Sequence, residues 1–332
     1  MTSSPRRRAA TTASTQPPTV QATHRSALGE SRGADTDVVD DGARATPRVS
    51  RGSIIVPAHN EAARMTPFLE ALSDVATRYG VLVVVVCNGC SDDTAALARR
   101  YAGITVVETD RASKCHALNL GDAAAADNFP RLYCDADSVT DASSLHELLE
   151  ALRVDRPLAV RPASRQRFAT SSRAVKVAAS LPDLVPALRA AGRVHLEGNA
   201  IYGTNAAGRA RFGEFPEVIA DDAFFDRMFP AEHKAVVDAA CVTIDEPADL
   251  ATYFRILVRV CQGNRQLNDW LAQNVTTSAV APGSAPLVAK LAKLRGIRLR
   301  DWPAVTFGVG IRIAAQMEAV RRRRMRRVTS WK

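Results

Sequence analysis

Short apolar runs alternate with helical patterns along the first half of this chain. The runs 53–56, 81–86, 104–108 and 132–134 predict strands, and the segments 62–79, 94–101 and 114–126 predict helices between them. Strands that are apolar throughout, without alternation of polar and apolar residues, are typical of a parallel sheet covered by helices on both faces. The sequence therefore predicts an α/β fold, with one domain built on a mostly parallel central sheet flanked by helices.

Composition divides the 332 residues into three regions. Residues 1–50 are rich in Ser, Thr, Ala, Pro and Gly without periodicity, which predicts a disordered tail. Residues 51–270 carry the strand and helix patterns and are predicted to form the folded domain. Residues 271–332 are predicted to be a basic, amphipathic helical extension.

The positive charge lies in that extension. The chain has a formal net charge of +9, and residues 286–332, with thirteen Lys or Arg and two acids, contribute +11 of it. The remainder is near neutral, which argues against a nucleic-acid-binding core, and no nucleic-acid partner is predicted. Within the extension, the apolar and aromatic residues of 302–313 precede the arginine-rich run 321–327. This pattern fits adsorption to an anionic membrane surface.

Cysteines and hydropathy predict the compartment. The six cysteines lie mostly inside apolar runs and lack the framework of a secreted protein, so we interpret them as reduced thiols. No apolar run approaches the length of about eighteen residues that would predict a membrane span, and no apolar stretch follows Arg6–Arg8 as it would in a signal peptide. We expect a cytoplasmic protein, held peripherally at the inner face of the cell membrane.

Two carboxylates follow the predicted strand 132–134. Asp135 and Asp137 are two residues apart, so in an extended chain they point the same way, and Ala136 leaves room beside them. Two converging carboxylates repel each other unless a cation lies between them, and Mg²⁺ or Mn²⁺ prefers such oxygen ligands together with the oxygens of a substrate diphosphate. The alternative is a solvated acidic turn.

Other polar side chains also follow predicted strands. Asn60 and Glu61 come after the first strand, Asn88 after the second and Lys114 after the third. Ligands of parallel α/β sheets bind beyond the carboxyl ends of the strands. The convergence favours a ligand site over an isolated acidic turn.

The second half of the chain offers a further acidic pair and several arginines. Asp221 and Asp222 open a predicted helix, where they either complement the helix dipole or supply, in Asp222, a general base toward an acceptor hydroxyl. In the predicted helix 249–267, an arginine can neutralise a leaving diphosphate. A solvated helix face explains Arg255 and Arg259 equally well. The arginines of 161–173 are predicted to lie on a solvated loop.

The sequence lacks the characteristic motifs of two enzyme classes. No Gly-x-Gly-x-x-Gly follows the first strand, where Pro-Ala-His-Asn-Glu stands at 57–61, and no Gly-x-x-x-x-Gly-Lys-Ser/Thr occurs anywhere. The sequence therefore favours neither a dinucleotide-dependent oxidoreductase nor a P-loop NTPase.

The ordered motifs together resemble family 2 glycosyltransferases of the GT-A fold. Ile-Ile-Val-Pro-Ala-His-Asn-Glu at 54–61 is similar to that family's Val-Pro-x-Tyr-Asn-Glu opening, and Asn-Gly-Cys-Ser-Asp-Asp-Thr follows at 88–94. Lys-Cys-His-Ala-Leu-Asn-Leu-Gly at 114–121 resembles the family's Gly-Lys-x-x-Ala-Leu-Asn-x-Gly segment. Asp-Ala-Asp at 135–137 matches the Asp-x-Asp metal motif, and Ala-Asp-Asp at 220–222 matches the later acidic motif. The resemblance covers about 53–265.

The resemblance implies a metal-dependent, inverting transfer of a sugar from a nucleotide-diphosphate sugar to a hydroxyl acceptor. It implies that Asp222 is the general base and that Asp135 and Asp137 hold Mg²⁺ or Mn²⁺ on the donor diphosphate. The residues expected to bind substrate are Pro57, Ala58, His59, Glu61, Asn88, Lys114, Asp135, Ala136, Asp221 and Arg265. With the basic extension, we expect a lipid-linked or envelope-glycan acceptor.

Three departures from the family pattern limit the assignment. Cys87-Asn88 stands where many members carry an acidic residue for the nucleotide base, which leaves the base open. The later motif more often reads Glu-Asp, and Gln266 replaces the Trp of the Gln-x-x-Arg-Trp motif, which argues against a processive synthase. Two alternatives stay open: a catalytically inactive, membrane-associated scaffold, and a sugar-nucleotide pyrophosphorylase. A pyrophosphorylase would require a Gly-rich, basic loop after the first strand, and Ala58-His59-Asn60 does not supply it.

Overall fold

The structure is a computed structural model that describes residues 51–185, 194–275 and 297–324. The predicted N-terminal tail, 1–50, lies outside the described residues, as does the end of the arginine-rich run, 325–327. Across the three described segments, no helix is both long enough and apolar enough to cross a membrane.

Seven strands form one sheet, in the spatial order β3-β2-β1-β4-β6-β5-β7. They are β1 (Ser53–Ala58), β2 (Leu82–Asn88), β3 (Ile104–Thr109), β4 (Arg131–Cys134), β5 (Ala159–Arg167), β6 (Ile201–Thr204) and β7 (Lys234–Asp245). Only β6 runs against its neighbours, since it pairs antiparallel with both β4 and β5, while the other pairs are parallel. The prediction of a mostly parallel sheet is confirmed.

Helices cover both faces of the sheet. They are α1 (Thr66–Tyr79), α2 (Thr94–Ala98), α3 (Lys114–Ala125), α4 (Ala142–Ala151), α5 (Arg173–Ala179), α6 (Leu181–Leu184), α7 (Ala206–Arg209), α8 (Asp221–Arg227), α9 (Leu250–Asn274) and α10 (Trp302–Arg324). In β1, Ile54 and Val56 join the core under α1 and α4, and Ile55 joins the core under α3, α8 and α9. Alternate residues of a strand point to opposite faces, so an apolar run becomes buried on both.

Several elements differ in length from their predictions. The first helix begins at Thr66 and not at 62, because Asn60 has a left-handed φ of 55° and Pro67 lies in the first turn. Strand β5 runs on to Arg167, through residues predicted as a solvated loop. Its outer half pairs with the long strand β7, and Arg167 forms an ion pair with Asp245. A strand can thus carry a polar, exposed sequence when backbone pairing on one edge supports it.

The C-terminal helices pack on each other beside the sheet. Helix α9 runs past the predicted domain boundary at 270/271, because Leu271 is buried with the core under α8. Helix α10 contacts α9, α5 and α6, and its residues Val305, Ala315 and Ala319 are buried in those contacts. The predicted basic extension is therefore helical over Trp302–Arg324 and packs onto the domain.

One glycine sets the position of helix α3. A Cβ at Gly121 would overlap the side chain of Ile55, so the absence of a side chain lets α3 lie close against β1. Ser113 caps the helix by accepting a hydrogen bond from the backbone N–H of His116 at 3.2 Å. These two contacts fix where the first residue of α3, Lys114, enters the edge of the sheet.

Candidate active site

Two adjoining cavities lie at the edge of the sheet where the parallel strands end. The first cavity, of about 450 Å³, is lined by Pro57, His59, Asn60, Glu61, Arg64, Lys114, Asp135, Ala136, Asp137 and Arg259. The second cavity, of about 380 Å³, contains both residues of the later acidic pair, Asp221 and Asp222. Lys114, Asp135 and Arg259 line both cavities. The residues that the sequence placed after strand ends converge on the first cavity, except Asn88.

The loop after β1 is held by the loop after β2. The side-chain oxygen of Asn60 accepts a hydrogen bond from the backbone N–H of Ser91 at 2.7 Å. Thr94 accepts from the N–H of Glu61 at 2.9 Å, and Asp92 accepts from the N–H of Ala62 at 3.2 Å. The 88–94 motif therefore fixes the conformation of the loop after β1.

His59 lines the first cavity in a fixed orientation. Its Nδ1 lies 2.5 Å from the carbonyl oxygen of Asn88. A carbonyl only accepts, so Nδ1 carries a proton and donates it in this contact. The side chain of Asn88 is fully buried, with Oδ1 lacking a partner among the described residues, and does not line either cavity. Asn88, predicted to bind substrate, supports His59 through its backbone.

Ala58 also lies away from the cavities. It is the last residue of β1, fully buried in the core, and its carbonyl accepts from the thiol of Cys90 at 3.4 Å. Pro57 and Ala136, in contrast, line the first cavity although both are buried. Small and cyclic side chains here leave the volume of the cavity free.

Lys114 connects the two acidic pairs. Its Nζ lies 2.6 Å from Oδ1 of Asp135 and 3.0 Å from Oδ2 of Asp221. Burial alone would lower the pKa of Lys114, but the carboxylates of Asp135, Asp221 and Asp222 raise it above its usual value. The ammonium is therefore charged, and it balances carboxylates that would otherwise repel one another.

Asp135 and Asp137 present oxygen ligands to the first cavity. The side chain of Asp137 is half exposed, and its carboxylate lies 4.0 Å from Arg64. Burial raises the pKa of Asp135, and Lys114 opposes that rise. Within the described residues, no three His, Cys, Asp or Glu side chains are grouped as a complete metal site. Two carboxylates facing an open cavity fit a hard divalent ion that takes its other ligands from substrate and water.

Asp221 and Asp222 begin helix α8 and have different surroundings. Asp221 is 3% exposed, and its Oδ2 accepts from the hydroxyl of Tyr202 at 2.8 Å as well as contacting Lys114. Asp222 accepts from the backbone N–H of Gly198 at 2.6 Å and from that of Ala223 at 2.8 Å. Both residues line the second cavity, but Asp221 is held through Oδ2 by the side chains of Tyr202 and Lys114, whereas Asp222 is held through both oxygens by backbone N–H groups.

The environment of Asp222 raises its pKa to about 6. Burial is the main cause and the neighbouring carboxylate of Asp221 adds to it, while Lys114 and the N–H of Gly198 act in the opposite direction. A carboxylate with this pKa is ionised at neutral pH and still binds a proton readily.

Helix α9 contributes Arg259 and not Arg265. Arg259 lines both cavities, and its guanidinium makes no hydrogen bond or ion pair to another residue that the structure describes. Arg265 lines neither cavity. Six residues along a helix turn the side chain about 120° away from the first position, so the two arginines lie on different faces.

Some residues that line the cavities are not among those predicted from the sequence. Arg64, Glu197, Gly198 and Asn264 line the cavities without having been predicted. Arg64 bonds Glu61 at 2.9 Å, and its spacing of three residues from that acid was the available signal. Glu197 and Gly198 precede a strand, so the rule that ligands bind beyond the carboxyl ends of strands does not predict them.

Residues 53–212 match the family model described as Glycosyl transferase family 2. The matched segment contains all the residues of the first cavity except Arg259. Asp221, Asp222 and helix α9, which bound the second cavity, lie beyond it.

Several solved structures are similar to this chain at low identity. The mannosyltransferase PcManGT from Pyrobaculum calidifontis, in complex with GDP-Man and Mn²⁺, is 22% identical, with 82% of this chain and 76% of that chain covered and a TM-score of 0.49. The mannosyl-3-phosphoglycerate synthase from Rubrobacter xylanophilus is 20% identical over 67% of this chain and 74% of that chain, with a TM-score of 0.45. The glucosyl-3-phosphoglycerate synthase from Mycobacterium tuberculosis, in complex with UDP, is 19% identical over 65% and 78%, also with a TM-score of 0.45. The search of curated proteins found no match.

The pKa of Asp222 is directly measurable. In a ¹³C NMR titration of side-chain carboxyls, we expect the Asp222 signal to titrate near pH 6. The variant Asp221→Asn should lower the pKa of Asp222, because it removes a neighbouring negative charge and leaves Lys114 in place. Asp74→Asn, on helix α1, is the matched control and should leave it unchanged. Titration of wild-type Asp222 in the ordinary carboxyl range near pH 4 would contradict the assignment.

Proposed function

Residues 53–212 of this chain belong to glycosyl transferase family 2, and from that premise we propose that the protein transfers a sugar from a nucleotide-diphosphate sugar to a hydroxyl group of an acceptor. The observation that carries the proposal is the pairing of the two cavities. One has two carboxylates for a metal-bound diphosphate, the other has a carboxylate with the pKa of a base, and they meet at Lys114, Asp135 and Arg259.

The first cavity would bind the donor. His59, Glu61 and Lys114 line it, and the loop that carries His59 and Glu61 is fixed by the hydrogen bonds to Ser91 and Thr94. Asp135 and Asp137 would hold Mg²⁺ or Mn²⁺. When bound, such an ion supplies Lewis-acid stabilisation to the oxygens of the leaving diphosphate.

The second cavity would bind the acceptor. Asp222 would take the proton of the acceptor hydroxyl as that oxygen attacks the anomeric carbon, in a single in-line displacement with inversion. The N–H groups of Gly198 and Ala223 orient the carboxylate for this role. Asp221 would act as a positioning residue, because it holds Lys114 and is itself held by Tyr202.

Calorimetry with a panel of nucleoside diphosphates, with and without Mn²⁺, tests the donor site. We expect one nucleotide to bind in a metal-dependent way and Asp137→Ala to lose that dependence, because a carboxylate ligand is gone. Asp222→Asn should bind the same nucleotide within about twofold of wild type and lose about 10²–10⁴-fold in transfer rate. Wild-type transfer should fall as the pH drops below about 6, where Asp222 becomes protonated.

Two results would contradict this assignment. Loss of nucleotide binding in Asp222→Asn would make Asp222 a ligand or a helix cap. Absence of metal-dependent binding to any nucleotide in the wild type would favour the catalytically inactive scaffold.

Arg259 would neutralise charge on the departing diphosphate. It is the guanidinium that reaches both cavities, and it has no described protein partner to compete with a phosphate. Arginine suits this role because its planar fork binds two phosphate oxygens at once. The family resemblance implies a substrate-binding role for Arg265, on the same helix.

A pair of variants separates the two arginines. Arg259→Ala should lower kcat by about 10–100-fold, the usual loss for a hydrogen bond to a charged group. Arg265→Ala should stay within about twofold of wild type, since that residue lines neither cavity. Steady-state kinetics with the nucleotide sugar identified by calorimetry makes the comparison. The opposite order of losses would return the role to Arg265.

Helix α10 would hold the protein at an anionic membrane surface, on the cytoplasmic side. Its outward residues include Phe307, Ile313 and Met317, and they lie opposite the buried Val305, Ala315 and Ala319. Arg321 and Arg323 follow at the C-terminal end of the helix, with half or more of each side chain exposed. Apolar contact with lipid and attraction to anionic headgroups would act together. This placement would suit an acceptor that is a lipid-linked or envelope-glycan precursor.

Vesicle flotation tests the membrane contact. The full chain should float with phosphatidylglycerol-containing vesicles and to a much smaller extent with pure phosphatidylcholine. A triple variant, Phe307→Gln, Ile313→Gln and Met317→Gln, should reduce flotation at least tenfold and leave the buried face of α10 intact. Val154→Gln, at an equally exposed apolar position far along the chain, is the control. Flotation unchanged by the triple variant would contradict the proposal.

A further inference from the structure

Two apolar side chains are exposed in the second cavity. Eight large apolar residues are exposed in the described part of the chain, and five of them lie between Leu299 and Met317. Of the remaining three, Ile256 and Val260 line the second cavity, with 45% and 50% of their surface exposed. We call this pair the apolar ridge. Single apolar residues scattered over a surface are ordinary, whereas an adjacent exposed pair inside a polar cavity indicates a binding surface.

The apolar ridge is held rigidly beside the acidic pair. Ile256 and Val260 are one turn apart on α9 and therefore lie side by side. The helix is fixed against the start of α8, because Gly263 lies against Ala220 and the side chain of Gln266 accepts from the N–H of Ile219 at 3.0 Å. The ridge thus has a set position relative to Asp222 in the same cavity.

No described part of the fold covers the ridge. Helix α10 packs against the neighbouring face of α9, where Leu257, Val258 and Cys261 lie, and leaves Ile256 and Val260 exposed. Further along the cavity wall, Ile219 and Ala223 add apolar surface, while Asp222 and Arg259 supply charge. The second cavity is therefore amphipathic, with a reactive carboxylate and a guanidinium next to an apolar wall.

We propose that the second cavity takes an acceptor in which a hydrocarbon chain adjoins the hydroxyl-bearing head, with Ile256 and Val260 as the residues that recognise the chain. The inference rests on the proposed function, since it names the class of acceptor for that site. A purely carbohydrate acceptor would gain little from the ridge, because sugar hydroxyls there would lose water without finding hydrogen-bond partners. A hydrocarbon chain laid on the ridge would instead remove its own apolar surface and that of Ile256 and Val260 from water.

Two glucosides with the same head test this preference. The full-length protein is titrated calorimetrically with methyl β-D-glucopyranoside and with n-octyl β-D-glucopyranoside below its micellar concentration. We expect the octyl compound to bind at least tenfold more tightly and to shift the ¹³C carboxyl signal of Asp222, which reports binding in this cavity. The double variant Ile256→Ser, Val260→Ser should lose about tenfold in octyl glucoside affinity and none in methyl glucoside affinity. Val154→Ser is the exposed apolar control and should change neither.

The contrary results are distinct. Equal binding of the two glucosides, or an octyl preference that survives the double substitution, overturns the proposal. A concentration-dependent dimer that the double variant dissociates would assign the ridge to a second copy of the chain and overturn it as well. Mn²⁺-dependent nucleoside-diphosphate binding is measured on the same samples. Absence of this nucleotide binding in the wild type would contradict the transferase proposal itself. Nucleotide binding that persists in the double variant shows that the donor site is still folded.

Discussion

The contact of Lys114 with Asp135 and Asp221 holds the site together. One ammonium joins the start of α3, the end of β4 and the start of α8, three elements that no backbone hydrogen bond connects at this edge. Buried carboxylates this close would repel without a cation, and a buried ammonium would be costly without carboxylates. The close packing of α3 on β1 at Gly121 serves this arrangement, because it brings Lys114 to the place where both acids lie. The two cavities then share Lys114 and Asp135 as a common charged wall.

Much of the fold and part of the site follow from the sequence. Apolar runs alternating with helical patterns predict the sheet, and the rule that ligands bind beyond strand ends brings Lys114, Asp135 and Asp137 together correctly. The rule is too coarse for single side chains, since alternate residues of a strand point to opposite faces. Ala58 therefore lies in the core between Pro57 and His59, which line the first cavity, and the side chain of Asn88 is likewise buried.

Helix α9 shows a second limit. Arginines at 255, 259 and 265 fall on several faces, and the sequence alone does not say which face meets the cavities. That is decided by the close approach of Gly263 to Ala220, a tertiary contact between segments more than forty residues apart. Strand β5 shows the same limit, because its polar outer half is held by pairing with β7 and not by its own pattern.

The antiparallel direction of β6 brings a second, later stretch of the chain to the candidate site. Because β6 runs against its neighbours, its beginning lies where the other strands end, and the segment before it brings Glu197 and Gly198 to Asp222. The first cavity is lined by residues of 57–137 together with Arg259, and the second by residues of 197–264 together with Lys114 and Asp135. Under the proposed function, substitutions in the later stretch would alter the contacts to the acceptor and leave most contacts to the donor in place. The linings of the two cavities are thus largely separate along the chain, although they share Lys114, Asp135 and Arg259 in space.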